Sequence, residues 1–178
     1  MGNAEAAVEI MEKELYVAAM KGNIEFIRGQ SDDFLLRKTR EEKNVVHVAI
    51  RYEQLDFIKA LLLEKFPNNY KLISDQESSN QNTPLHIAAE VGNLNIMTVI
   101  FDYIMRVERP EGVKKPWMLK NSKGNTPVHV ALDHCNVKVA RFLLDKDLEL
   151  ALIANDLNEA PLHIAMKHVK PCIAFDKI

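Results

Sequence analysis

Cysteine is scarce in this chain: Cys135 and Cys172 are the two in 178 residues. Two cysteines cannot build the multi-bridge framework of a small secreted scaffold. They lie far apart in sequence, so the Cys-x-x-Cys nucleus of a structural zinc site is missing. No run of 18 apolar residues occurs, so no segment reads as a membrane span. Neither sign of charge dominates: 23 Lys and Arg stand against 25 Asp and Glu, a net charge of −2. A nucleic-acid binder usually shows a basic excess or stripe, so that class is disfavoured. There is no Gly-x-x-x-x-Gly-Lys-Ser/Thr phosphate loop, no Gly-x-Gly-x-x-Gly and no Gly-x-Ser-x-Gly. The first residues lack the basic-then-apolar pattern of a secretory leader. Together these absences predict a chain that is intracellular and cytoplasmic, with its thiols reduced. What is present is a hydrophobic content of 47% with 27% charged residues, enough to build a packed core.

One stretch organises the rest. Thr83-Pro84-Leu85-His86-Ile87-Ala88-Ala89-Glu90-Val91-Gly92-Asn93 carries the start and stop signals of a helix. Thr83 can cap the first turn, and Pro84 suits the first helical position, where no N–H is needed. Leu85, Ala88 and Ala89 share one face at helical spacing. Gly92 stands where a left-handed residue ends the helix. Leu94, Ile96, Met97, Val99, Ile100 and Phe101 then form a second apolar helix. The unit recurs as Thr126-Pro127-Val128-His129-Val130-Ala131 and as Ala160-Pro161-Leu162-His163-Ile164-Ala165. Weaker copies are Asn44-Val45-Val46-His47-Val48-Ala49 and Leu15-Tyr16-Val17-Ala18-Ala19. Tyr16, His47, His86, His129 and His163 are spaced by 31, 39, 43 and 34 residues. Self-similarity at such a period predicts an all-α solenoid.

The Thr-Pro-Leu-His-x-Ala-Ala-x-x-Gly pattern resembles the ankyrin repeat, and the resemblance runs from Leu15 to the C-terminus. It implies a single domain over 1–178, an ankyrin-repeat α-solenoid of about five helix-turn-helix repeats with β-turn fingers, the last one incomplete. The repeats fall at about 12–37, 41–66, 80–106, 123–147 and 157–178, with insertions at 67–79 and 107–122. Residues 1–14 are expected to give the first repeat a polar outer face through Glu5, Glu9, Glu12 and Glu14. Val45 replaces the proline and Glu53 the turn glycine in the second copy, which predicts a longer helix or a strained turn there. Asn158 stands where the finger glycine is usual, and tolerates the left-handed conformation well. The fifth copy stops short. Ile173, Ala174, Phe175 and Ile178 are expected to fray after Pro171 and to leave an edge for weak self-association. The long steps and loops are similar to plant ankyrin proteins of the accelerated-cell-death type. Those are defence signalling proteins with a C-terminal membrane domain that this chain lacks. That resemblance implies a signalling role, with membrane association through a partner or a missing domain. The alternative is a truncated or regulatory fragment whose open edge pairs with that membrane-anchored half or with itself.

The histidines come one per repeat and so form a ladder, where a zinc site needs a close pair of ligands. His134 and Cys135 are adjacent but lack a third supporting group. No metal, cofactor or enzymatic activity is therefore expected. The resemblance assigns Thr83, Pro84, His86, Gly92, Thr126, Pro127, His129, His47 and His163 to the framework, each histidine bonding the backbone of a neighbouring turn. Family partners are proteins, met at the finger tips and the concave face of the first helices. Carried onto this chain, the candidate binding positions are Arg51, Tyr52, Asn82, Glu90, Val91, Lys123, Asn125, Asp133, His134, Asp156 and Glu159. The wider band adds Arg40, Glu41, Lys43, Ser79, Asn80, Ser122, Leu157, Lys167 and His168. Trp117, in the second insertion, is expected to tuck against the stack, with a partner anchor as the alternative.

Overall fold

The computed structural model describes Met11 and residues 13–167. The acidic residues Glu5, Glu9 and Glu12, and His168 with the tail residues Ile173, Ala174, Phe175 and Ile178, lie outside them. Several helices start where the sequence supplies a cap. The first helices of the five units are α1 (Lys13–Lys21), α4 (Val45–Arg51), α7 (Pro84–Val91), α9 (Pro127–Asp133) and α11 (161–167). Thr83 accepts a hydrogen bond from the His86 N–H, and the Asn44 side chain does the same for Val46 and His47. The second helices are α2 (Ile24–Arg28), α5 (Leu55–Lys59), α8 (Leu94–Arg106) and α10 (Val137–Lys146). Two short helices, α3 (Asp32–Leu35) and α6 (Lys71–Ser74), sit in the connections between units.

The first helices pack in one row, α1 on α4, α4 on α7 and α7 on α9; the second helices stack behind them as α5, α8 and α10. Ala19, Ala49, Ala88, Ala89 and Ala131 are fully buried along the inner row. A methyl side chain there lets neighbouring helix backbones approach closely, and the larger Ile58, Leu61, Ile96, Ile100 and Leu143 fill the layer behind. One continuous core results, from Met11 to Leu150.

Each turn between paired helices places one residue at positive φ: Gly22, Glu53, Gly92 and Cys135. Glu53 therefore resolves the second unit as a strained turn (φ 56°), since α4 ends at Arg51 and does not run on. Cys135 adopts φ 58° and is disulfide-bonded. The reading of reduced thiols fails for it, and the redox argument for an intracellular setting falls with that reading. Beyond Lys59, α5 widens into a π-helical turn over Ala60–Lys65, which no sequence pattern announces.

The insertions are pinned to the stack. The Tyr103 hydroxyl donates to the Phe66 carbonyl at 2.7 Å and accepts from the Asn69 N–H at 2.8 Å. Trp117 is 8% exposed and packs on Phe101 with ring centroids 4.9 Å apart. Its indole N–H donates to the Asp147 carboxylate at 2.9 Å. Trp117 is thus a packing residue, as large aromatics bury area where they can. No helix among the described residues is long and apolar enough to cross a membrane.

Candidate functional site

The site is assembled from two devices that repeat down the stack. The first is the buried histidine. In His47, His86 and His129 the Nε2 atom lies 3.1, 2.9 and 3.1 Å from the carbonyl oxygens of Asn82, Asn125 and Glu159. Each of those carbonyls belongs to the finger of the next unit. A carbonyl can only accept, so Nε2 carries the proton. Nδ1 then accepts the N–H of the capping residue, Asn44, Thr83 or Thr126, at 3.2–3.3 Å. Both ring nitrogens are engaged, Nδ1 of His86 and His129 also accepting from the Thr83 and Thr126 hydroxyls at 2.7 and 2.8 Å, and the ring is held neutral. Burial pushes His47 and His86 down to about 4, and lowers His129 as well. His163 accepts the Ala160 N–H at Nδ1 in the same way, but its ring is exposed.

The second device is the finger. Glu42, Gln81, Gly124 and Asn158 occupy one equivalent place and all have positive φ, between 55° and 69°. Neighbouring fingers join through backbone: the Ser78 N–H donates to the Glu41 carbonyl, Ser122 to Asn80, and Asp156 to Lys123. Asparagine amides add a parallel row, Asn121 donating to Asn82 and Asn155 to Asn125, each at 2.9 Å.

This row gives two of the expected binding positions a framework role as well. Asn82 and Asn125 are 8% and 5% exposed. Their side chains bridge fingers and their backbone carbonyls hold histidines, so they serve the framework, and both also border the groove between fingers and first helices. Arg51 and Glu90 are exposed and half-buried, but engage each other across neighbouring units in a two-pronged pair at 2.6 and 3.0 Å. The Arg51 hydrogen bonds hold the Glu90 carboxyl below its usual range. Tyr52 packs edge-on against Tyr16, with centroids 6.5 Å apart. Glu159 pairs with Lys167. Val91 is half-buried, and Asp156 and Leu157 are exposed.

What the fold does bring together is a groove between the fingers and the first helices. Asn80, Asn82, Asn121, Ser122, Lys123 and Asn125 line its finger side, Glu90, Val130, Asp133 and His134 its helix side, around a cavity of about 170 Å³. Lys123, Asp133 and His134 are all exposed there. Asn121 and Val130 are absent from the sequence-derived set. The first recurs 34 residues on as Asn155, which is the signal that could have found it. The groove is polar and carries both signs of charge. Among the described residues no three His, Cys, Asp or Glu side chains converge as metal ligands would.

Comparison with known proteins places this geometry. A family model described as ankyrin repeats (3 copies) matches residues 15–110, and one described as ankyrin repeat matches residues 123–153. No curated protein matches the chain.

Proposed function

Since the chain belongs to the ankyrin-repeat family, we propose that it is a non-catalytic protein-interaction module whose partner seats in the groove between fingers and first helices. The observation that carries this reading is the convergence of the exposed Lys123, Asp133 and His134 on one polar groove of both charge signs. Each of those three is exposed, while the histidines and asparagines beneath are consumed in holding the repeats together. A mixed-charge groove selects a partner by matching charges along it, which gives specificity more than raw affinity. The finer reading is a signalling role beside plant ankyrin-repeat proteins, supported by the 39- and 43-residue steps. The test is a pull-down from extract of the native cells with the chain and with its Lys123→Glu/Asp133→Lys variant. The variant should lose the bound partner and melt within about 2 °C of the parent, as exposed substitutions cost little. A partner retained at full strength would refute the placement.

A second reading has its own observation. Leu162 is 67% exposed where the equivalent Leu85 and Val128 are fully buried, and Met166 and Leu157 are exposed beside it. This supports an open edge at the fifth unit that takes a second copy of the chain. Sedimentation across a concentration series checks it: the weight-average mass should rise with concentration and be restored to the monomer value by Leu162→Glu.

A further inference from the structure

The second insertion builds a cleft that shares no residue with the groove. Phe101 and Ile104 from α8, with Pro116 and Trp117 from the insertion, are buried and form its apolar floor. Met105, 64% exposed, stands on its wall. The cavity is about 650 Å³, within the range of sites that hold small ligands or a peptide side chain with its neighbours. Its rim is cationic. Lys115 is 2.9 Å from Asp147, and that carboxylate also takes the Trp117 indole N–H, so it is consumed within the fold. Lys146 lies over the Phe101 and Phe142 rings at 5.7 and 5.2 Å. Arg109 is exposed on the same rim, and Asp102 is the one further acid lining the cleft. Trp, Arg and Met over a desolvated floor are the residue types that interfaces favour.

We propose that this cleft is a second binding site, for an acidic peptide segment that lays one aromatic or long aliphatic side chain on the Phe101–Trp117 floor and its carboxylates against Arg109 and Lys146. Charge complementarity fixes the sign of the partner, and the apolar floor requires an anchor, so neither a basic peptide nor a purely acidic one meets both demands.

The probe is a labelled ten-residue peptide of glutamates flanking one central phenylalanine, titrated into the full chain. Control peptides replace the phenylalanine by serine or the glutamates by lysines. The expected result is saturable binding that perturbs the Trp117 indole N–H resonance and weakens as salt rises. Both controls and the Arg109→Glu/Lys146→Glu variant should lose at least tenfold. Both substituted side chains are exposed; should the double variant not fold, Met105→Asp reads the same loss at the wall. The proposal is overturned by unchanged binding in the folded variant, by equal binding of the phenylalanine-free peptide, by a silent Trp117 resonance, or by perturbation confined to the finger groove.

Discussion

At the scale of the residue, the buried histidine carries the coupling between units. His86 spends Nδ1 on the Thr83 N–H and Nε2 on the Asn125 carbonyl, across 39 residues of sequence. Replacing it by alanine leaves both buried groups without a partner, at a cost of about 1–3 kcal/mol. Chemical denaturation at pH 7 measures that loss. Its titration gives a second expectation. Burial holds the folded-state value of His47 and His86 near 4, below the ordinary 6.5. The unfolded chain therefore binds protons that the folded chain refuses. Stability from these two is full above pH 6.5 and is lost as pH falls toward 4, by up to about 1.4 kcal/mol per pH unit for each histidine. Unfolding free energies at pH 7 and pH 5 should differ less in His86→Ala than in the parent. An equal pH dependence would place the acid sensitivity elsewhere. The ladder was legible in the sequence because Pro-x-His-x-Ala recurs in register. The fates of Asn82 and Asn125 were not, since an asparagine in a turn reads as solvent-facing until the neighbouring finger supplies Asn121 and Asn155 as donors.

At the scale of the element, turns and fingers set how well one unit meets the next. Gly92 sits at φ 80°, and a Cβ there would lie 2.2 Å from the Asn136 side chain, whose amide donates to the Ala89 and Glu90 carbonyls. Gly92→Ala adds left-handed strain to that clash and should destabilise by about 1–3 kcal/mol. Gln81 holds the finger place at φ 55° with an exposed side chain. Gln81→Gly should therefore stabilise by about 0.5–1 kcal/mol, since glycine adopts that conformation freely. Glu53→Gly should gain less, because the Glu53 carboxylate accepts the Asn93 amide at 2.9 Å. Thermal melts of the three variants test this order. Helix existence was readable from periodicity at α1, α4, α7, α9 and their partners, with the Thr-Pro start adding to it at α7 and α9. The π-helical turn at Ala60–Lys65 and the short α3 and α6 were not, because they answer to packing against neighbouring units and not to local pattern.

At the scale of the whole molecule, the row of first helices and joined fingers is a framework that presents Lys123, Asp133 and His134 along one groove. The sequence pattern marked this band as a whole, but could not separate its exposed members from the buried Asn82 and Asn125. Arg51 and Glu90 read as two independent contacts, whereas the fold joins them in one pair. Trp117 sits in an insertion with no repeat pattern around it, and only the third dimension brings it to Phe101 and Asp147. The account stands or falls on where a partner touches the chain. A photo-crosslinking side chain placed singly at Asp133, at Lys123 and at Arg141 measures that directly. Arg141 is the control, exposed on the second-helix layer and outside the groove. The same partner crosslinked from positions 133 and 123, with none from 141, is the result predicted. Crosslinks from 141 equal to those from 133 and 123 would contradict the groove as the binding surface.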